Sequence, residues 1–185
     1  MDTMSTLYLV RHGRAAASWG ESADPGLDDT GREQAAGVPA LLDDAVPMPI
    51  VSSPMTRARE TAAPLAGIWN CTPHIDPRFS EIPTPPDVTA ARKAWIKSVL
   101  SKTWPELGAD LQAYRDRLIR AACAMERDTV VFTHFIAINT LVGKALNDSR
   151  VLIFWPDNAS ITTLQTDGAA LELVEKGIES PSIIG

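Results

Sequence analysis

The sequence predicts an α/β fold, a sheet covered on both faces by helices. Three observations carry this. Short apolar strand-like runs alternate along the chain with segments of helical periodicity. The 185 residues suit one domain, 1–185, with room for a proper core. Hydrophobic residues make up 45%, an ordinary globular value that supports such a core.

The first strand is Thr6–Val10, within LYLVRHGRA at 7–15. A loop follows. LDDTGREQAAGVPALLDD at 27–44 then reads as a helix, with Asp28 as N-cap and Ala35, Val38, Leu41 and Leu42 on its apolar face. PIVSS at 49–53 is a second short strand. Ser53 before Pro54 has the pattern of a cap and an N1 proline, so the next helix is expected to open there, with Arg57 in its first turns. Residues 71–86 carry five prolines, which leaves room only for an edge strand around Ile75. A mixed helix spans Thr89–Lys102, with Trp95 and Val99 on its apolar side, and a stronger one lies within 106–128, carrying Leu111, Tyr114, Leu118 and Ala122 on one face. TVVFTH at 129–134 is a buried strand, and a helix begins just after it. VLIFW at 151–155 and SITTLQTDGAALELV at 160–174 complete the chain as short strands, the last two joined at Asp167–Gly168 as a hairpin.

Charge removes several function classes. There are 17 Lys and Arg against 23 Asp and Glu, a formal net charge of -6. That balance gives no general footprint for nucleic acid or for an anionic membrane, so neither is an expected partner. The polar start MDTMST lacks a basic n-region and no apolar run approaches spanning length, which predicts a cytoplasmic protein. Cys71 and Cys123 are far apart and outside any C-x-x-C, so both read as reduced, core-filling thiols. Three histidines, none at metal-ligand spacing, predict no metal site. GKA at 143–145 is not a phosphate loop, because the upstream glycine and the Ser/Thr are absent.

Against this acidic background Arg11, His12, Gly13 and Arg14 form a local concentration of positive charge at a strand exit. In sheets of this class ligands bind outside the carboxyl ends of the strands. The other two exits carry Ser52–Pro54 with Arg57 just beyond, and Thr133–His134. Two arginines and two histidines in one crevice suit a dianion with several oxygens. The free N–H groups of the Pro54 helix are expected to add to it. A neutral imidazole is a competent nucleophile near pH 7, and His12, flanked by Arg11, is the stronger candidate. His134 reads as its electrostatic partner. Arg14 reads equally as pocket rim or solvent-facing. Arg59 faces away from Arg57 and reads as structural, His74 as an exposed loop residue, and Trp95 and Trp104 as core or lid packing.

LVRHGRA at 9–15, DPGLDDTGREQA at 24–35, VSSPMTRARETA at 51–62 and VVFTHFIAI at 130–138 together resemble the histidine phosphatase, or phosphoglycerate-mutase-like, superfamily, in the family's order. The resemblance implies a three-layer sandwich with a mixed, mainly parallel sheet, and no metal or cofactor. It implies that His12 is the phosphorylated nucleophile and that Arg11, Arg57 and His134 form the phosphate pocket with it. Glu81, in RFSEIP, matches the family's acid, proton donor to the leaving oxygen and then base for water; Asp76 and Asp87 are the other acids this segment offers. The chain departs from the family pattern at Arg14 and Ala15, at Ser18 and at Phe135 and Ile136, so the pocket rim is individual and fold analogy does not name the substrate.

The expected activity is a phosphomonoesterase using a phosphohistidine on a small phosphorylated metabolite or a phosphoprotein. A phosphoglycerate-type mutase is the alternative. It is expected to need extra closing segments and a C-terminal tail, whereas this chain stops soon after LELVEKGIESPSIIG, which favours hydrolysis. A non-catalytic phosphate-binding module would not require a nucleophile beside an acid. The stretch from Pro83 to Trp104 reads as a lid. Its Arg92, Lys93, Lys97 and Lys102 suit an anionic substrate. The oligomeric state is not readable.

Overall fold

The computed structural model describes residues 4–17 and 22–180; Ser18 lies outside them. Six strands form one sheet: β1 (Ser5–Arg11), β2 (Ile50–Ser52), β3 (His74–Ile75), β4 (Thr129–Thr133), β5 (Ile161–Thr166) and β6 (Leu171–Glu175), in the order β3-β2-β4-β1-β5-β6. The pairs β3–β2, β2–β4 and β4–β1 are parallel; β1–β5 and β5–β6 are antiparallel. The sheet is thus mixed and mainly parallel, as the family resemblance implied. Helices α1 (Asp29–Gly37) and α2 (Thr56–Ile68) cover one face, and α3 (Arg92–Leu100), α4 (Ala109–Cys123) and α5 (Phe135–Ala145) the other.

Side-chain alternation along the strands sorts the two cores. Leu7 and Leu9 of β1 and Val131 of β4 face α4 and α5. Val10, Val130 and Phe132 face α2. Helix α5 is buried from Phe135 through Gly143, as expected for a helix that is apolar on most of its circumference. It starts directly after β4, so its N-terminus is aimed at the carboxyl edge of the sheet.

Several elements differ from the sequence expectation. Helix α1 begins as read, with the Asp28 carboxylate accepting from the Gly31 N–H at 2.7 Å. It gives way to a 3-10 turn over Val38–Leu42, where Pro39 has no N–H to continue the ladder. Leu41 lies on that turn and is 58% exposed rather than part of the apolar face. Helix α2 opens at Thr56, not at Pro54: the Ser53 hydroxyl takes the Met55 N–H at 3.2 Å, and the Asp24 carboxylate takes the Thr56 N–H at 2.9 Å. The 89–102 segment splits into a 3-10 turn, Pro86–Ala91, followed by α3.

VLIFW is not a strand. Its amides find partners outside any ladder: Val151 N–H on the Lys102 carbonyl, and Ile153 and Phe154 N–H on the Asn139 side-chain oxygen at 2.7 and 2.9 Å. Cys123 is buried as expected, but Cys71 is exposed, in the loop that leaves α2 through Asn70 at φ 48°. The hairpin at Asp167–Gly168 forms as read, with Gly168 at φ 95°. No helix among the described residues is long and apolar enough to cross a membrane.

Candidate active site

Register brings the site together. Arg11 stands opposite Thr133 across β1 and β4, and Phe132 stands opposite Ser52 across β4 and β2. Three parallel strands therefore end level, and the residues that follow them, His12, His134 and Ser53, leave the sheet side by side. The ladder runs one step further through His12 N–H to the Thr133 carbonyl (3.1 Å) and Ser53 N–H to the Phe132 carbonyl (3.0 Å). The two imidazole rings lie 5.2 Å apart, centre to centre.

The tautomer of His12 follows from its partners. Nδ1 lies 2.7 Å from the Gly13 carbonyl, which can only accept, so Nδ1 carries the proton. Nε2 accepts from Arg57 Nε at 3.1 Å. The ring is thus a neutral imidazole with its lone pair on Nε2. Burial, reinforced by the charges of Arg57 and Arg11, holds its pKa well below 6.5. Arg57 reaches His12 from the first turn of α2.

Arg11 packs its guanidinium 5.1 Å above the Phe135 ring and donates from Nη1 to the Pro156 carbonyl at 2.7 Å. Burial lowers its pKa to about 10, against the opposing pull of Glu81 and Asp157. Its Nε has no hydrogen-bond partner among the described residues. His134 caps α5 and places Nε2 at 2.8 Å from the Ser53 hydroxyl, while its buried Nδ1 has no such partner. Ser53 Oγ already accepts from Met55 N–H, so its own proton is available for His134 Nε2. That arrangement leaves Nδ1–H as a donor. Burial, then the neighbouring His12 and the arginines, keep His134 neutral.

Glu81 lies at the same place, 6% exposed. Its carboxylate accepts from Ile82 N–H at 3.0 Å and from Ile136 N–H, in the first turn of α5, at 3.2 Å. Those bonds and the charges of Arg57 and Arg92 favour the anion, yet burial outweighs them and raises the pKa. The turn that carries Glu81 is fastened by Thr133 Oγ1 on the Phe79 carbonyl (2.7 Å) and by Tyr114 Oη on the Ser80 carbonyl (3.1 Å). Of the two alternative acids, Asp76 is held by Arg78, at a nearest approach of 2.6 Å, and Asp87 is exposed.

Other readings resolve as well. Arg14 is exposed, and its guanidinium donates to Asp28 at 2.5 Å and to Thr30 at 2.9 Å, pinning the turn after β1 to the start of α1. Arg59 and His74 are exposed, Trp95 is half-buried against the core and Trp104 is buried in it. The start of α2 does not offer its first N–H to the crevice, because Asp24 occupies it. Among the described residues no group of three or more His, Cys, Asp or Glu could hold a metal ion.

Three contributors have site roles that the sequence did not show. Ser53 orients His134. Thr61 takes the Gly13 N–H at 3.0 Å, and its place in RARETA, one turn after Arg57, was its only signal. Arg92, at the start of α3, has a buried Nε without a partner among the described residues and acts electrostatically on Glu81, Arg57 and His134. Nothing in the sequence separated it from the three lysines of the same segment.

Two strand-end histidines, two guanidinium groups and a carboxyl of raised pKa can bind a tetrahedral oxyanion, attack it and exchange a proton with it. Known proteins agree with this architecture. The chain is 27% identical over 163 residues to a probable phosphoglycerate mutase of Photorhabdus laumondii, covering 77% of this chain and 75% of that one. Its fold is similar to a mycobacterial glucosyl-3-phosphoglycerate phosphatase, with TM-score 0.72 at 20% identity over 96% of this chain and all of the other. It is also similar to a phosphoserine phosphatase of Entamoeba histolytica solved with 3-phosphoglyceric acid, with TM-score 0.73 at 21% identity over 95% and 98% of the two chains. The sequence model of the histidine phosphatase superfamily (branch 1) matches residues 7–179, a stretch that runs from β1 through every element of the site, and the chain belongs to that superfamily.

Proposed function

We propose that the protein is a phosphomonoesterase that works through a phosphohistidine at His12 on a small anionic phosphate ester. The observation that carries this reading is the His12 ring itself: neutral, protonated on Nδ1, with its Nε2 lone pair facing Arg57 and the acid Glu81 in the same pocket.

The ester's phosphoryl group replaces His12 Nε2 as the acceptor of Arg57 Nε–H. Arg11 Nε and His134 Nδ1, buried without partners among the described residues, donate to its other oxygens. The dianion raises the Glu81 pKa further, which keeps that group protonated for its first task. Nε2 then bonds to phosphorus as the bond to the ester oxygen breaks, and that oxygen takes the Glu81 proton. In the second half the Glu81 carboxylate removes a proton from water, the water oxygen bonds to phosphorus, and the P–Nε2 bond breaks. Phosphate leaves and Glu81 is protonated again. Arg92, half-buried on the lid beside this pocket, supports a substrate with a second anionic group, such as a phosphorylated carboxylate.

A mutase would use the same phosphohistidine but return the group to a bound product. Hydrolysis is favoured by the modest lid, one 3-10 turn and the nine-residue helix α3, which leaves water a short route to phosphorus. The test is a rapid-quench experiment with labelled ester. Wild type should form an acid-labile, alkali-stable label that decays in water alone, and His12→Ala should form none. A label that survives in His12→Ala rejects the nucleophile; a label that decays only when a phosphoglycerate acceptor is added makes the enzyme a mutase.

A further inference from the structure

The geometry points to Asn158 as the positioning residue of His12, through a hydrogen bond to the backbone carbonyl of the nucleophile. The inference rests on the role proposed for His12.

Gly13 creates the need. It lies so close to the start of α1 that a Cβ on it would meet the Gly31 carbonyl oxygen at 2.5 Å. Glycine is therefore required there, and glycine is also the residue most free to rotate its flanking peptides. Yet the Gly13 carbonyl is what receives the His12 Nδ1 proton and aims the ring. That aim depends on the His12–Gly13 peptide before it: its rotation changes His12 ψ and Gly13 φ, and so moves the Gly13–Arg14 peptide that carries this carbonyl relative to the imidazole.

The peptide is gripped at both ends. Asn158 Nδ2 donates to the His12 carbonyl at 2.9 Å; a carbonyl only accepts, so the amide must present its NH2. At the other end the Gly13 N–H donates to Thr61 Oγ1 at 3.0 Å, and the Thr61 hydroxyl donates to the Arg57 carbonyl at 2.7 Å. The next peptide is held in the same way, its carbonyl by His12 Nδ1 and its N–H by Gln34 Oε1 at 2.8 Å.

The loop that carries Asn158 is built to hold this strand end. Its Ala159 N–H donates to the Arg11 carbonyl at 2.9 Å, its Ser160 carbonyl accepts the Arg11 N–H at 3.1 Å, and its Pro156 carbonyl takes the Arg11 side chain. Ala159 holds φ 58°, a left-handed backbone that alanine adopts at a cost. From outside, the chain's return pins the loop: Asp157 N–H on the Ile178 carbonyl and Ser180 N–H on the Trp155 carbonyl, both 2.8 Å. A rigid loop thus holds the His12 carbonyl chiefly through the Asn158 amide, with the Ala159 N–H, 3.4 Å from the same oxygen, as a longer second donor.

The experiment compares wild type with Asn158→Ala and Asn158→Asp. The aspartate keeps the size and the turn preference of asparagine but, ionised, cannot donate to a carbonyl. In both variants the single-turnover phosphorylation rate should fall about 10²-fold, the scale of a small misplacement of a reacting group. Affinity for inorganic phosphate, which takes hydrogen bonds from Arg11, Arg57 and His134 and needs no bond to Nε2, should change less than threefold. The imidazole Nδ1–H resonance of His12, shielded from exchange in wild type by the Gly13 carbonyl, should broaden or vanish. If Asn158→Ala folds poorly, Asn158→Asp carries the test. A sharp Nδ1–H resonance and wild-type phosphorylation rate in the folded variants overturn the inference. Failure of the nucleophile reading looks different: wild type then forms no phosphohistidine, while the resonance still reports whether Asn158 holds the ring.

Discussion

Replacing Glu81 by Gln separates proton transfer from phosphate binding. The amide matches the carboxylate in size, and its oxygen, in the place of Oε1, can still accept from both the Ile82 and the Ile136 N–H; the second Ile136 contact, to Oε2, is lost. The structural cost is about one hydrogen bond, roughly 0.5–1.5 kcal/mol, so the variant should fold. His12, Arg11, Arg57 and His134 keep their partners, which are Gly13, Pro156, His12 and Ser53 rather than Glu81. What is lost is the proton. A positioned acid contributes about 10²–10⁴-fold, or about 2.7–5.5 kcal/mol of barrier, when the leaving group is an alkoxide. An aryl phosphate leaves as a phenolate and needs little of that help. Single-turnover phosphorylation should therefore fall by about 10²-fold or more for an alkyl ester and by far less for an aryl one. In the proposed mechanism Glu81 also activates the water, so the aryl ester should show a burst of phenol and a trapped phosphoenzyme. The pH profile carries a second signature. Glu81 must be protonated and His12 neutral, so wild-type kcat/KM on the alkyl ester should fall at high pH through the raised Glu81 pKa and at low pH through a His12 pKa well below 6.5. The basic limb should vanish in the variant. An unchanged alkyl-to-aryl ratio would remove Glu81 from the acid role.

Stability should also depend on pH. His12 and His134 have folded pKa values depressed below 6.5, so the stability they bring is full above that value and is lost as pH falls through the folded values. With two such groups, the unfolding free energy measured in urea should fall between pH 7 and 5.5. Glu81, raised in the fold, acts in the opposite sense, so Glu81→Gln should steepen the slope; a flat wild-type profile would contradict the buried neutral rings. Arg92→Ala should raise KM about 10–100-fold for esters with a second anionic group, the value of one charged hydrogen bond, and leave phenyl phosphate nearly unaffected; equal effects on both would show that Arg92 does not read the second charge. Gly31→Ala would bring a Cβ to 2.1 Å from the Arg14 carbonyl oxygen. Backbone must move, so unfolding free energy should drop by about 3 kcal/mol, and a wild-type melting curve would refute the close approach.

What the sequence determined by itself was carried by neighbours in the chain. The β-rich runs that became β1 and β4, the Asp28 cap, the Asp167–Gly168 turn and the residue types at three strand exits are local signals, each set within a few residues. The family motifs added Glu81, which composition alone could not separate from Asp76 and Asp87; Arg78 takes one of those and solvent the other. Tertiary structure decided whatever depended on competition for a partner. Pro54 and Ser53 looked like a helix start until Asp24, from a distant loop, claimed the Thr56 amide. VLIFW had strand composition, but Asn139 and Lys102 captured its amides. Arg14 was ambiguous until Asp28 and Thr30 lay beside it. The same applies to the parts of the site that sequence missed. Arg92 acquires meaning only where the lid folds back over Glu81, and Asn158 meets His12 across 146 residues of chain. A pattern reports which conformation a segment prefers; which donor reaches which acceptor is settled only when the level ends of β1, β2 and β4 bring those segments within 3 Å of one another.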